Sequence, residues 1–109
     1  MTRGTVIWVD LTDATPPEIG KRRPAVVVSN SVQNLSLDSI VAVPISSRAP
    51  EILPLRLKMH ISGLKATAYA VVPGIRQLKK SRILGTIGIL KGVDLAKLDD
   101  GIRAYLSDT

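Results

Sequence analysis

Apolar positions along this chain fall into short runs separated by turn chemistry, a spacing that predicts strands over most of its length. Thr5-Val6-Ile7-Trp8-Val9 follows Gly4 and stops at Asp10. Residues 11–23 are polar and carry Pro16, Pro17 and Gly20, which predicts a loop long enough to be functional. Pro24 opens Ala25-Val26-Val27-Val28-Ser29, an unbroken apolar run expected of a strand buried on both faces. Proline is acceptable at the first residue of such a strand. Asn30 to Ser39 reads as a polar connection, Ile40 to Ile45 as a second buried strand ending at Pro44, and residues 46–50 as loop. Leu53, Leu55, Leu57 and Met59 alternate with Pro54, Arg56 and Lys58, so the first set is expected on the core and the second in water. Residues 68–72 and 83–90 supply two more strands, the latter with a bulge or tight bend at Gly85 and Gly88.

Helical spacing is confined to the C-terminus. Leu95, Leu98, Ile102, Tyr105 and Leu106 share one stripe, with Lys97, Asp100 and Arg103 outside it and Asp94 as the expected N-cap. Gly101 weakens this helix by up to ~1 kcal/mol, so it should depend on docking against the sheet. Five or six short strands and a terminal helix predict a mainly β fold, a β-rich α+β domain built as a small barrel or strongly coiled antiparallel sheet. At 109 residues the chain is read as one domain, 1–109.

Composition sharpens the class. Apolar residues are 45% of the chain but aromatics only 3%, so Val, Ile, Leu and Ala must build the core. Of 15 Lys and Arg, 13 fall in residues 1–92 with only 5 of the 9 acidic groups, so the net +6 sits on the body of the domain. A small basic domain is a candidate for phosphate-rich or acidic partners. There is no cysteine, which excludes disulfides and thiolate chemistry, and the single His60 has no metal-ligand cluster around it. No run reaches the roughly 18 apolar residues of a membrane span, and Asp10 and Asp13 interrupt any signal-type core. The expectation is a soluble cytoplasmic domain with no metal and no cofactor.

Three basic segments could carry chemistry. Gly20-Lys21-Arg22-Arg23-Pro24 places three like charges together, the mark of a polyanion site or of a solvated run. Arg23 stands apart because Pro24 biases it to extended geometry at the mouth of a buried strand, where a guanidinium can grip a phosphate. Ser46-Ser47-Arg48 ends the other buried strand, and could converge on the first loop if the two strands are neighbours. Arg76-Gln77, followed by Lys79, Lys80 and Arg82, is most simply a solvated basic loop that extends the track. Paired carboxylates, a His60-based triad and a phosphate-cradling Gly-rich fingerprint find no support, so arginine and hydroxyl groups must carry any catalysis. That restriction suits RNA cleavage by the substrate's own 2′-OH, where the protein orients the phosphodiester and stabilises its developing charge.

The ordered set of segments resembles the MazF/PemK toxins. Arg3-Gly4-Thr5-Val6-Ile7-Trp8-Val9-Asp10-Leu11 is followed by Gly20-Lys21-Arg22-Arg23-Pro24 and Val26-Val27-Val28-Ser29-Asn30. Val43-Pro44-Ile45-Ser46-Ser47, Gly63-Leu64, Ile75-Arg76 and Arg82-Ile83-Leu84-Gly85 then come in the family's order, before the Leu95-Leu98 helix. The resemblance implies a dimeric, SH3-like coiled barrel that cuts single-stranded RNA at short sequences without a metal, leaving a 2′,3′-cyclic phosphate and a 5′-hydroxyl. It implies proton transfer and phosphate stabilisation by Arg23, and a hold on the scissile phosphate by Ser46. Lys21, Arg22, Ser47, Arg48, Arg76 and Gln77 would contact RNA, and Glu18 matches a loop glutamate common in the family. An antitoxin with an acidic tail would occupy the RNA groove. The chain departs from the family pattern at Pro73-Gly74, before Ile75-Arg76, and at Thr67-Ala68, before the fifth strand. Two other readings share the fold: a non-enzymatic gyrase poison of the CcdB type, against which the intact Lys-Arg-Arg-Pro loop argues, and an inactive RNA- or partner-binding member.

Overall fold

The computed structural model describes residues 1–18, 20–48, 50–64 and 67–107. Seven strands are present: β1 (Thr5–Asp10), β2 (Arg22–Val27), β3 (Ser39–Ser46), β4 (Arg56–Met59), β5 (Ala68–Val71), β6 (Arg76–Lys79) and β7 (Ile83–Ile89). Two α-helices accompany them, α1 (Ser31–Ser36) and α2 (Val93–Tyr105). The strands pair antiparallel in the order β4-β5-β3-β2-β1-β7, with β6 also paired to β3. The fold is thus mainly β, as expected.

The three central strands are buried on both faces except at their ends and at Trp8 of β1, which is exposed, and this is why their apolar runs show little alternation. Val6, Val26 and Val43 face one cluster, completed by Leu57, Met59, Ala70, Leu90 and Leu98 of α2. Ile7, Val9, Ala25, Val27, Ile40 and Ala42 face a second, with Leu11 and Leu78. Two-sided burial of this kind fixes register, because a one-residue slip would exchange the two cores.

Among the described residues the path from β4 to β7 is not closed by hydrogen-bonded pairing, so of the two expected forms, small barrel or strongly coiled antiparallel sheet, the sheet is the one present. Backbone contact closes it instead. A Cβ at Gly88 of β7 would collide with the Ser62 carbonyl, and one at Gly63 (φ +94°) would lie 2.8 Å from the Ile87 carbonyl. Register shifts between Val6/Ile7 and Trp8/Val9 show that the β1–β7 edge bends where glycines were expected to bend it.

Other expectations are revised at their boundaries. β2 starts at Arg22, so Pro24 lies inside the strand; pairing with β3 begins only at Ala25, and Pro24 therefore sits at a local edge. β3 runs through Pro44 to Ser46, so Ser46 belongs to the strand; Ala49 of the expected 46–50 loop lies outside the described residues. The connection at 30–39 contains α1, capped by Asn30, whose side chain accepts from the Gln33 amide. A buried pair holds it: Ser29 Oγ lies 2.5 Å from Asn34 Oδ1, and Asn34 Nδ2 donates to the Ser29 carbonyl at 2.9 Å. The alternating stretch at 53–59 is a strand only from Arg56, and Leu53 and Leu55 are exposed. Residues 76–79, read as loop, form β6 on the edge of β3.

α2 begins after Gly92 with no side-chain cap; Asp94, the expected cap, accepts instead from the His60 amide at 3.2 Å. Leu98 and Gly101 are buried, whereas Tyr105 and Leu106 of the expected stripe are exposed. Gly101 marks close packing, since a Cβ there would lie 2.5 Å from Leu57 Cδ1. No helix among the described residues is long and apolar enough to cross a membrane.

Candidate functional site

β2 and β3 are direct neighbours, and their register brings two of the sequence candidates together. The ladder ends at Ala25 and Pro44, and beyond it Arg23 reaches the Ile45 carbonyl next to Ser46, which brings Arg23 and Ser46 to one place. Both continue the face that carries Ala25, Val27 and Ala42. They line a cleft of about 300 Å³ together with Lys21, Arg22, Pro24, Ile45, Ser47, Leu64, Thr67 and Ala68.

Arg23 is half-buried and held from two sides. Its Nε donates to the Gly20 carbonyl at 2.7 Å and its Nη1 to the Ile45 carbonyl at 3.5 Å. Among the described residues the remaining N–H groups of its five-donor fork meet no protein acceptor and can serve a ligand. Lys21, just before the strand, adopts φ +72°, and its carbonyl is fixed by the Leu11 amide at 2.8 Å. A non-glycine residue in that region costs about 1 kcal/mol or more, so the strain sits at the lip of the cleft.

Burial lowers the pKa of the Arg23 guanidinium from its ordinary value, and the positive charges of Arg48 and Arg56 lower it further. None of these three arginines has a carboxylate at ion-pair distance among the described residues, whereas Arg3, Arg76, Arg82, Lys97 and Arg103 do. Like charges gathered without neutralisation next to a hydroxyl make a site for an anion.

Ser46 is buried at the end of β3, and its Oγ accepts from the Arg48 amide at 3.1 Å. That bond orients the hydroxyl and leaves its own proton to donate outward. The hydroxyl's aim thus depends on the Ser46–Arg48 turn. Arg56 of β4 reaches the same turn, donating from Nη1 to the Arg48 carbonyl at 3.4 Å. Alternation along 53–59 puts Arg56 on a solvent face; the pairing of β4 with β5, and of β5 with β3, brings it here.

The remaining candidates separate. Glu18 and Arg76 line a second cavity of about 280 Å³ with Pro17, Val71, Pro73, Gly74 and Ile75. The Glu18 carboxyl is held below its ordinary value chiefly by the Thr15 amide and then the Thr15 hydroxyl, at 3.2 and 3.0 Å. Arg76 is 3.6 Å from Asp13, which also takes Arg82 at 2.8 Å. Gln77 lies apart: its Nε2 donates to Ser39 Oγ at 2.9 Å, in a groove with Leu37, Asp38 and Lys79. The two departures from the family pattern fall on the two cavities, Thr67-Ala68 in the first and Pro73-Gly74 in the second. No group of three or more His, Cys, Asp or Glu residues is placed to hold a metal ion among the described residues.

Known proteins share this arrangement of chain. The family model of PemK-like, MazF-like toxins of type II toxin–antitoxin systems matches residues 2–106. Endoribonuclease MazF9 of Mycobacterium tuberculosis is 34% identical over 113 residues, covering 97% of this chain and 96% of that protein. MazF from Deinococcus radiodurans superposes with a TM-score of 0.85 at 24% identity, over 97% of this chain and 96% of that one. An endoribonuclease from a mycobacterial species, solved in complex with its cognate antitoxin, gives 0.82 at 24% identity over 100% of this chain and 97% of that one.

Proposed function

Because this chain belongs to the PemK-like, MazF-like toxin family of type II toxin–antitoxin systems, we propose that it is the toxin of such a system and an endoribonuclease, cutting RNA in the Arg23–Ser46 cleft. The observation that carries the reading is one cleft that holds both a half-buried guanidinium, with no carboxylate at ion-pair distance among the described residues, and an oriented hydroxyl. The similarity to endoribonuclease MazF9 supports the same activity.

The chemistry follows from these groups. The substrate 2′-OH attacks the adjacent phosphorus, the P–O5′ bond breaks, and the proton lost at the 2′-oxygen is balanced by one gained at the 5′-oxygen. Products are a 2′,3′-cyclic phosphate and a 5′-hydroxyl, and no metal is required. Ser46 donates to a non-bridging oxygen and holds the phosphate in line. Arg23 donates to the oxygens on which charge develops. Arginine stays protonated at ordinary pH, so the lowered pKa matters as a stronger donor in the transition state, with partial proton transfer to the leaving oxygen. Lys21, Arg22, Ser47 and Arg48 guide the backbone, and the Glu18–Arg76 cavity contacts a more distant part of a single strand. Since the departures at Thr67-Ala68 and Pro73-Gly74 lie in these two cavities, the sequence preference of cleavage is this chain's own. The protein acts as one domain, as a homodimer, in the cytoplasm. An antitoxin segment rich in Asp and Glu blocks it by occupying the basic cleft.

One experiment tests the core of this. A long RNA is incubated in EDTA with wild type and with Arg23→Ala, and the ends are mapped. Cleavage by wild type alone, with cyclic phosphate and 5′-hydroxyl ends, is the expected result. Intact RNA with both proteins refutes the activity, and supercoiling inhibition without RNA cleavage would identify a gyrase poison instead.

A further inference from the structure

Among the described residues, Arg56 reaches the Ser46 turn although neither its sequence context nor the phosphate chemistry above calls for it. It is half-buried at the first position of β4, and its side chain spans to the Arg48 carbonyl at 3.4 Å. The amide of that same Arg48 donates to Ser46 Oγ at 3.1 Å. Arg56 therefore ends a two-bond chain: guanidinium to Arg48 carbonyl, Arg48 amide to Ser46 hydroxyl. Its backbone is fixed independently, since Arg56 exchanges bonds with Ile52 in a tight bridge (2.8 and 2.6 Å) and pairs with Val71 across the ladder. A guanidinium on such a firm base is a strut, and no carboxylate among the described residues competes for it at ion-pair distance.

We propose that Arg56 is a positioning residue for the cleavage step, which through the Arg48 carbonyl fixes the Ser46–Arg48 turn and so aims the Ser46 hydroxyl across the cleft at the phosphate gripped by Arg23. This inference rests on the endoribonuclease reading of the cleft. Without the strut the turn after β3 keeps, among the described residues, the Arg48 amide to Ser46 Oγ bond, and the hydroxyl samples positions out of line with the scissile phosphate. Misplacement of a catalytic group by about an ångström costs up to 10²-fold in rate. The charge of Arg56 adds to this by making Arg23 a stronger donor.

The test uses full-length Arg56→Met, Arg56→Gln and Arg56→Lys proteins on one mapped RNA substrate. Arg56→Met and Arg56→Gln should lose about ten- to a hundredfold in kcat with KM within about twofold of wild type. Arg56→Lys, which keeps a donor of similar reach, should recover most of the loss. Unchanged kcat in Arg56→Met, or a loss confined to KM, overturns the proposal, the second outcome making Arg56 a simple RNA contact. A direct measurement needs no substrate: amide hydrogen exchange at Arg48 should quicken in Arg56→Met while that of Val43 in the core of β3 stays as in wild type. Unchanged exchange at Arg48 would also overturn it. Faster exchange at Val43 as well would mean general loosening and would count against it. If wild type cleaves no RNA, the endoribonuclease reading fails by itself, and the exchange result still decides whether the strut exists.

Discussion

Arg23 and Ser46 do different work, and their substitutions should separate in kinetics. Loss of the Arg23 guanidinium removes transition-state charge stabilisation, while Lys21, Arg22 and Arg48 still attract the backbone. Arg23→Ala should lower kcat by about 10²-fold or more, the scale of losing one oxyanion donor, with RNA affinity changed much less. Single-turnover cleavage and fluorescence anisotropy at fixed salt measure the two. Ser46→Thr keeps the hydroxyl and should remain active, whereas Ser46→Ala should not. A titration marks a third residue. Glu51 is held below its ordinary value of 4.5 first by the Lys97 ammonium and then by the Lys58 amide. A depressed carboxyl stabilises the fold above its unfolded pKa, and that contribution disappears as pH falls through the folded value. The Glu51→Gln protein should thus lose less stability than wild type between pH 7 and pH 3, read as the shift in urea midpoint.

At the scale of elements, α2 shows packing set against propensity. Alanine is favoured over glycine by about 1 kcal/mol in a helix interior. At Gly101, however, a Cβ would press on the Cδ1 end of Leu57, a buried side chain that borders, with Gly101 itself, a cavity of about 510 Å³ into which it can shift. Overpacking costs about 1 kcal/mol where the neighbour can yield, close to what alanine gains in the helix, so Gly101→Ala should change stability by less than about 1 kcal/mol, measured by urea unfolding. The sequence showed the helix through its Leu95, Leu98 and Ile102 spacing but treated Gly101 only as a weakness. α1 was hidden for the opposite reason: its six residues are mostly exposed, and what holds it is the Ser29–Asn34 pair, a contact that composition does not reveal. β6 was hidden too, because an edge strand needs only one apolar residue, Leu78, to be held in place.

Across the whole molecule, the path of strands is completed by contact between backbones, not by a last ladder. Gly88 meets the Ser62 carbonyl, whereas Gly85, three residues away on the same strand, has open space around it. Gly88→Ala should therefore destabilise the fold by about 1–3 kcal/mol, because a carbonyl must move, while Gly85→Ala should be tolerated within about 0.5 kcal/mol. Thermal unfolding of the two variants side by side checks this, and equal melting temperatures would contradict it. The order of the segments along the chain already pointed to the family, and residues 2–106 match it.

What the sequence determined by itself was the set of central strands, the terminal helix and the distinction of Arg23, because two-sided burial leaves unbroken apolar runs and a proline restrains the residue before it. It also named Ser46 as a candidate, though as loop. Tertiary structure alone decided that Ser46 ends a strand and shares a cleft with Arg23, that Glu18 and Arg76 share a different cavity, and that Gln77 belongs to neither. It alone brought Arg56 to the Arg48 carbonyl. Local pattern records which face of a strand is apolar, but which strands lie side by side is set by long-range pairing. A polar side chain with no apolar period to mark it takes its role from that pairing.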